Sequence, residues 1–321
     1  MDKPAIYAEG LVKRFGDVVA LAGVDLAVPA GTVLGLLGPN GAGKTTAVRI
    51  LTTILQPDGG HAEVLGFDVC KQPQEVRTRI GLAGQYAAVD ENLTGRENLI
   101  MVGRLAHQQR AGIVPRAGEL LERFGLSDAG DRPVKTYSGG MRRRLDLAAA
   151  LVHRPAVLIL DEPTTGLDPR GRLDLWGVIE ELVSDGATLL LTTQYLEEAD
   201  RLADRIAVVD HGRVIADGTA AELKAQLGST IIHVELADQD TADSAKTVLA
   251  EVGPTDFSDD GRSIEVKVVD SGRSLVAVVR RLDAAGIEPA AVTVREPSLD
   301  DVFLTLTGRP TDTGDDLEEA S

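Results

Sequence analysis

The sequence predicts an α/β protein, with a mainly parallel sheet covered by helices on both faces and a helical lobe, followed by a small α+β domain of ferredoxin-like type. Over residues 1–228, short runs that are apolar on both faces alternate with segments of helical period. Residues 229–308 instead follow the order β-α-β-β-α-β. With 321 residues, 43% of them apolar, the chain can bury cores of this size.

The elements of the first part are short and aliphatic. A pair of strands around Asp210-His211-Gly212 has the pattern of a hairpin. Residues from about 95 to 150 have helical composition and form the predicted helical lobe. The predicted strands lie at residues 32–37, 157–160, 187–191, 205–209 and 213–216, and the predicted helices that follow strands lie at residues 43–55 and 197–203.

A domain boundary is predicted near Gly228, where composition and charge change. Residues 229–321 carry 20 acidic and 8 basic residues, and residues 309–321 are an acidic segment predicted to be disordered. The elements predicted between them are strands at 230–236, 263–269 and 290–295, a weak strand before residue 263, and helices at 242–252, 275–285 and 300–307.

Composition excludes several classes of function. The formal net charge of −17 argues against non-specific binding to nucleic acid or anionic lipid. A single cysteine, Cys70, excludes a disulfide framework and a multi-cysteine metal site. No window approaches 18 uninterrupted apolar residues. We therefore expect a protein that is cytosolic or reaches a membrane only through a partner.

A glycine-rich loop after the first aliphatic strand is the strongest local signal. Its glycines allow successive backbone N–H groups to converge on phosphate oxygens, and the helix that follows adds its dipole. Lys44 is expected to bridge the β- and γ-phosphates of a nucleotide, and the Thr45 hydroxyl to bind Mg²⁺. The loop fits the pattern G-x-x-x-x-G-K-[ST] and reads Gly38-Pro39-Asn40-Gly41-Ala42-Gly43-Lys44-Thr45, with Thr46 following in the predicted nucleotide-binding set.

Two carboxylates end the aliphatic run at residues 157–160. Asp161 is placed to hold Mg²⁺, directly or through water, and Glu162 is the candidate general base for an attacking water. Taken alone, the pair also fits a strand end that reaches solvent. Beside the phosphate loop, the catalytic interpretation is favoured.

A second glycine-flanked helix start follows Tyr137. Ser138 is a good N-cap, and Gly139 and Gly140 leave amides free to face an anion. Three arginines follow in the first turn and oppose the helix dipole. They fit a solvated helix surface, and they equally fit a second phosphate-facing helix end.

Together these motifs resemble the ATP-binding subunit of an ABC transporter over roughly residues 4–228. The resemblance implies that Phe15 stacks on adenine, that Gln85 links the Mg²⁺ site to the helical lobe and binds nucleotide and metal, and that Asp168, in Gly166-Leu167-Asp168-Pro169, touches the other subunit of a dimer. The family usually has a switch histidine where this chain has Gln194. Glutamine can hydrogen-bond the γ-phosphate but cannot carry a positive charge, so hydrolysis either depends more on Glu162 or is slow.

The resemblance extends further, to the daunorubicin/doxorubicin-resistance drug exporters of actinobacteria. It is carried by Gln194 with the six residues that follow it, by residues 84–91 and 136–144, and by the ending Glu296-Pro297-Ser298-Leu299-Asp300-Asp301-Val302-Phe303-Leu304. This second resemblance covers nearly the whole chain.

The family resemblance implies a head-to-tail homodimer that closes two ATP molecules with Mg²⁺ between subunits, so that Ser138, Gly139 and Gly140 face the Lys44 loop of the other copy. It also implies a separate multi-span membrane permease and a peripheral position on the cytoplasmic face of the cell membrane. The expected function is ATP hydrolysis, with Glu162, Gln194 and Lys44 as the catalytic set, that energises export of an anthracycline-like drug. The alternatives are a lipid, glycolipid or polysaccharide cargo, or a soluble ABC-type switch.

Overall fold

The computed structural model describes residues 3–84, 89–226, 230–236, 241–258, 263–268, 271–295 and 298–307. The chain divides into two compact units, and we name Met1–Ala220 the N-terminal unit and Ala221–Pro310 the C-terminal unit. The boundary predicted near Gly228, residue Gln85 and the predicted acidic tail at residues 309–321 all lie outside the described residues. Within the described part of the chain, no helix combines the length and the apolarity needed to cross a bilayer.

The N-terminal unit holds two sheets and seven α-helices among its described residues. The strands are β1 (Ile6–Phe15), β2 (Val18–Val28), β3 (Val33–Leu37), β4 (Gly59–Val64), β5 (Phe67–Asp68), β6 (Ile80–Ala83), β7 (Val157–Asp161), β8 (Thr188–Thr193), β9 (Arg205–Asp210) and β10 (Arg213–Gly218). The helices are α1 (Lys44–Leu51), α2 (Pro73–Arg77), α3 (Gly95–Leu105), α4 (Arg110–Arg123), α5 (Gly139–Ala150), α6 (Pro169–Ser184) and α7 (Leu196–Leu202).

The larger sheet has the order β10-β9-β3-β8-β7-β6, and all its strand pairs are parallel except β9 with β10. Every residue of β3, β7 and β8 is buried, as expected for strands covered on both faces. One core cluster packs α1 between this sheet and β1, β2 and β4, and a second joins the opposite face to α5, α6 and the helices α3 and α4. The predicted mainly parallel, doubly covered sheet is confirmed.

The four-stranded antiparallel sheet β2-β1-β4-β5 is not among the sequence-based predictions. β1 and β2 pair with three register shifts, which interrupt the two-residue alternation that identifies a half-buried strand.

The helix predicted at residues 43–55 is too long, because α1 ends at Leu51. Thr53 has a left-handed backbone with φ of 64°, which a continuing helix does not allow.

The C-terminal unit has the predicted order β-α-β-β-α-β and ends in a further helix. Its sheet has the order β12-β13-β11-β14 and every neighbouring pair is antiparallel, which is the ferredoxin-like arrangement. Aliphatic side chains of β11, β13 and the first two helices after α8 form its core. The elements are α8 (Ala220–Gln226), β11 (Thr230–Leu236), α9 (Ala242–Leu249), β12 (Thr255–Phe257), β13 (Ser263–Val268), α10 (Ser271–Ala284), β14 (Pro289–Arg295) and α11 (Leu299–Thr307).

Candidate nucleotide-binding site

The parallel sheet brings three chain segments to one edge. In its register Leu37 pairs with Thr193, and Asp161 pairs with Thr192, so the carboxyl ends of β3, β7 and β8 are level. The glycine-rich loop leaves β3, Asp161 ends β7 with Glu162 directly after it, and Gln194 follows β8. The crevice beyond the carboxyl ends of parallel strands is where ligands of open α/β sheets bind.

Close packing fixes the glycine-rich loop at two of its glycines. A Cβ on Gly38 would lie 2.3 Å from the carbonyl oxygen of Val209, and one on Gly43 would lie 2.5 Å from that of Ala20. Gly43 also has φ of 111°, which L side chains rarely adopt. The loop therefore needs glycine at both positions in order to close onto the start of α1, whose N-terminus is suited to an anion.

A cavity of about 200 Å³ lies within this loop, lined by residues 39–46 together with Ala20 and Glu162. Lys44 is buried beside it, and its Nζ donates to the carbonyl oxygens of Gly38 at 2.6 Å and Pro39 at 3.1 Å. Burial lowers the pKa of Lys44, while the nearby carboxylate of Glu162 opposes that shift. The ammonium is thus a little-hydrated charge at the cavity wall, where it can bind a phosphate strongly.

Oxygen atoms suited to Mg²⁺ lie beside the cavity. The Thr45 hydroxyl is 3.3 Å from Asp161 Oδ1, and the same carboxylate oxygen accepts a hydrogen bond of 2.6 Å from Thr192 Oγ1. Hydroxyl and carboxylate oxygens are the hard ligands that Mg²⁺ prefers, and it commonly completes its shell with water and substrate phosphates. Thr45 and Asp161 therefore fit the predicted metal site, and Gln85 lies outside the described residues.

Glu162 turns sharply away from the end of β7. Its φ is 51°, in the left-handed region, and its backbone N–H donates to Thr192 O at 3.1 Å and to Thr192 Oγ1 at 3.1 Å. Oε1 lies 3.4 Å from Lys44 Nζ, and Oε2 accepts from Thr165 Oγ1 at 3.3 Å. The buried carboxylate lines the cavity, where it can accept a proton from water next to a terminal phosphate.

Gln194 lies just beyond Thr193, at the end of β8. Its Oε1 is buried, and no hydrogen-bond partner for it is found among the described residues. A buried amide oxygen without a partner is unfavourable, so this side chain has hydrogen-bonding capacity that a ligand or water can use.

The other predicted residues lie apart from this cavity lining in the protomer. Phe15 is 49% exposed at the end of β1, with the Lys13 ammonium 5.7 Å from its ring centroid. Ser138 caps α5 by accepting from the backbone N–H of Met141 at 3.3 Å. Asp168 caps α6 in the same way. A Cβ on Gly139 or Gly140 would meet nothing within 4 Å, so these two glycines are not required by packing within the protomer.

Three residues beside the site are not among the predicted site residues, although Arg143 is one of the three arginines considered for a phosphate-facing helix end. Thr192 hydrogen-bonds to both acids, and Arg143 donates to backbone carbonyls around them. Glu198 is fully buried and accepts from Thr164 Oγ1 and Trp176 Nε1, each at 2.9 Å. The signal for Thr192 in the sequence was a hydroxyl directly after the aliphatic run at residues 189–191.

Comparison with known proteins identifies two family models along the chain. The model described as ABC transporter matches residues 21–165. The model described as the C-terminal domain of DrrA1-3-like ATP-binding proteins matches residues 218–307.

Named relatives align over almost their full length. The daunorubicin resistance ATP-binding protein DrrA3 of Streptomyces coeruleorubidus is 56% identical, over 96% of this chain and 97% of its own. The daunorubicin/doxorubicin resistance ATP-binding protein DrrA of Streptomyces peucetius is 52% identical, over 96% and 94%. The doxorubicin resistance ATP-binding protein DrrA of Mycobacterium tuberculosis is 47% identical, over 97% and 96%.

Solved structures share this fold over about 70% of the chain. An ATP-binding subunit of an ABC transporter superposes with a TM-score of 0.63 at 27% identity, covering 70% of this chain and 93% of that chain. The cbiO1 protein of Clostridium perfringens, part of the ABC transporter complex cbiONQ, gives a TM-score of 0.65 at 27% identity, covering 70% and 92%. The chain belongs to the ATP-binding, ATP-hydrolysing subunits of ABC transporters, with the C-terminal domain of the DrrA-like members.

Proposed function

We propose that this chain energises the export of an anthracycline-type drug through a separate multi-span permease, as a homodimer on the cytoplasmic face of the cell membrane. The relatives that align over nearly the whole chain at 47–56% identity are named for resistance to daunorubicin or doxorubicin. The observation that carries the ATPase part is the cavity that joins the glycine-rich loop to Lys44 and Glu162.

The protomer's own residues account for binding and proton transfer. The loop amides and Lys44 hold the β- and γ-phosphates, while Phe15 presents an exposed ring to the adenine. Thr45 and Asp161 would hold Mg²⁺, which would supply positive charge to offset the charge that develops on the phosphate oxygens. Glu162 accepts the proton of the attacking water as that oxygen bonds to the γ-phosphorus, and the bond to the bridging oxygen of ADP breaks.

Lys44 Nζ lies 3.4 Å from Glu162 Oε1. This distance keeps the proposed phosphate-binding cation and the proposed base at the same cavity. A phosphate that enters the cavity draws the ammonium toward its own oxygens, and this leaves the Glu162 carboxylate free to accept a proton. Gln194 supplies a hydrogen bond to the γ-phosphate but no positive charge, so proton transfer in this chain depends on Glu162.

The dimer is proposed because one protomer surrounds only one side of the nucleotide. Ser138, Gly139 and Gly140 form a helix start whose glycines have open space around them. A second copy placed head to tail would bring these residues against the γ-phosphate, with Asp168 close to the contact. ATP then binds the two copies together, and its hydrolysis releases them.

The ATPase assignment is tested with Glu162→Gln, which preserves shape but removes the base. With Mg²⁺ and ATP, this variant is expected to elute as a dimer on size-exclusion chromatography and to lose at least about 100-fold in kcat. Glu181→Gln, an exposed change on α6, is the matched control and should behave as wild type. Unchanged turnover in Glu162→Gln would show that another group is the base.

The cargo is tested in membrane vesicles that contain the chain and its permease. Doxorubicin is expected to raise the ATPase rate, and ATP to drive doxorubicin across the bilayer, with both effects absent in the Glu162→Gln complex. If a glycolipid but not doxorubicin raised the ATPase rate, the cargo would be assigned as a glycolipid instead. ATPase activity that no membrane subunit affects would favour a soluble switch.

A further inference from the structure

Arg143, on α5, donates hydrogen bonds to the backbone of the turn that carries the two acids. Its Nη2 donates to Glu162 O at 2.5 Å and to Asp161 O at 3.4 Å, and its Nε donates to Pro163 O at 2.5 Å. Nη1 donates to Gly84 O at 2.5 Å, beyond the end of β6. All four acceptors are carbonyl oxygens, so the guanidinium holds the path of the chain rather than a side chain.

The turn needs such support because of its conformation. Glu162 has a φ of 51°, a backbone state that non-glycine residues adopt at a cost unless their surroundings hold it. Its N–H is fixed by Thr192, and its carbonyl oxygen is fixed by Arg143. With both sides of the residue held, the direction of its Cα–Cβ bond is set.

Arg143 is a largely buried side chain with specific hydrogen-bond partners, unlike an arginine on the surface. The Arg143 side chain is only 16% exposed, and its ion pair with Asp146 is long, with 3.9 Å between Nη1 and Oδ2. Burial lowers the pKa of Arg143, yet a guanidinium remains charged in proteins. A buried cation is costly unless its donors are satisfied, and a planar fork of five N–H groups can satisfy several carbonyls at once.

We propose that Arg143 is a positioning residue for ATP hydrolysis: it holds the turn at Asp161, Glu162 and Pro163 so that the Glu162 carboxylate faces the attacking water. This inference rests on the proposed role of Glu162 as the base. Arg143 lies in the second turn of α5 rather than in the first turn as predicted, because the helix begins at Gly139, directly after Ser138. The start of α5, which we assign to the partner's nucleotide, is therefore connected through Arg143 to the turn that carries this chain's own base.

The test compares Arg143→Gln with wild type, each as the full-length chain co-purified with its membrane subunit. We expect kcat to fall about 100-fold, because a misplacement of about 1 Å in a reacting group has an effect of that order. The KM for ATP and the Kd of a fluorescent ATP analogue should change less than about 3-fold, since Arg143 does not line the nucleotide cavity. Arg143→Lys, which keeps a charge but not the fork, should lose about 10-fold and shows the effect if Arg143→Gln does not fold.

Arg116→Gln is the matched control. Arg116 Nη2 donates to the carbonyl oxygen of Leu151 at 3.1 Å, so this change removes the same type of bond within the helical lobe. Its kcat should remain within 2-fold of wild type.

A double-variant measurement separates positioning of the base from general loosening of the fold. In a Glu162→Gln background, Arg143→Gln should cause no further loss of the residual rate, because there is no base left to position. A further loss of about 100-fold in that background, or a wild-type kcat in the single Arg143 variants, would overturn the inference. Unchanged turnover in Glu162→Gln alone would instead refute the proposed base, so the two failures are distinguishable.

Discussion

Removal of one hydroxyl group, in Thr192→Val, should disturb both acids of the site. Thr192 is fully buried at the end of β8. Its Oγ1 donates to Asp161 Oδ1 at 2.6 Å and accepts from the Glu162 N–H at 3.1 Å. Valine has nearly the same shape but can do neither, so the change isolates these two hydrogen bonds.

The magnitude follows from what each acid loses. A hydrogen bond to a charged acceptor contributes about 1.5–3 kcal/mol, and Asp161 Oδ1 would retain only the longer contact with Thr45. The Glu162 N–H would keep its bond to the carbonyl oxygen of residue 192. We therefore expect the free energy of unfolding to fall by about 2–3 kcal/mol, and kcat to fall about 10- to 100-fold as the carboxylates lose their fixed positions.

The assays are urea unfolding and steady-state ATPase activity over a range of Mg²⁺ concentrations. Thr192→Val should raise the Mg²⁺ concentration needed for half-maximal activity. Thr188→Val is the control: it lies at the other end of the same strand, is also buried, and loses a hydroxyl that accepts from the Gly31 N–H at 2.9 Å. It should lose about 1 kcal/mol of stability without any change in Mg²⁺ dependence. Identical Mg²⁺ dependence and kcat in the two variants would refute the reasoning.

Single substitutions elsewhere in the chain give three more tests. Lys44→Ala should weaken ATP binding about 10- to 100-fold by isothermal titration calorimetry, since a charged hydrogen bond to phosphate is lost. Burial raises the pKa of Glu198, so this group's contribution to the free energy of unfolding should fall as pH rises above the usual glutamate value of about 4.3, and the stability of wild type relative to Glu198→Gln should decrease over that range in urea titrations. Gly139→Ala should not lower the protomer's Tm, because its Cβ meets nothing within 4 Å and alanine favours a helix more than glycine, yet it should weaken ATP-dependent dimerisation of the Glu162→Gln variant on size-exclusion chromatography.

Local patterns were sufficient for the parts of the fold whose elements are regular. The strands β3, β7 and β8 were predictable because each is built on a short apolar run, at residues 33–37, 157–160 and 189–191. The ferredoxin-like order of the C-terminal unit was predictable from three regular strands and the two helices between them, although the strand before residue 263 gives only a weak pattern. The antiparallel sheet was missed because its register shifts break the alternation on which strand prediction depends.

Some residues of the candidate site could be predicted from the sequence and others could not. Lys44, Thr45, Asp161 and Glu162 stand in contiguous motifs, so their juxtaposition could be expected from strand ends alone. Arg143 acts on carbonyl oxygens, which every residue carries, and no sequence pattern reports such acceptors.

Glu197 and Glu198 show another limit of sequence reasoning. They are identical neighbours in the chain, yet Glu197 is exposed while Glu198 is buried against Thr164 and Trp176. Which of the two carboxylates is buried depends on the tertiary packing of α7.

The proposed dimer shares each nucleotide between two copies, with the loop of one against the helix start of the other. Cross-linking tests this most directly: Ser138→Cys in one copy and Asn40→Cys in another, with Cys70→Ser and Glu162→Gln in both. Asn40 is exposed on the loop, and Cys70 is the chain's one cysteine. Mixed with Mg²⁺ and ATP, the two copies should form a disulfide-linked heterodimer under mild oxidation, and neither ADP nor the absence of nucleotide should allow it. Equal cross-linking with and without ATP, or none in either condition, would contradict the shared site.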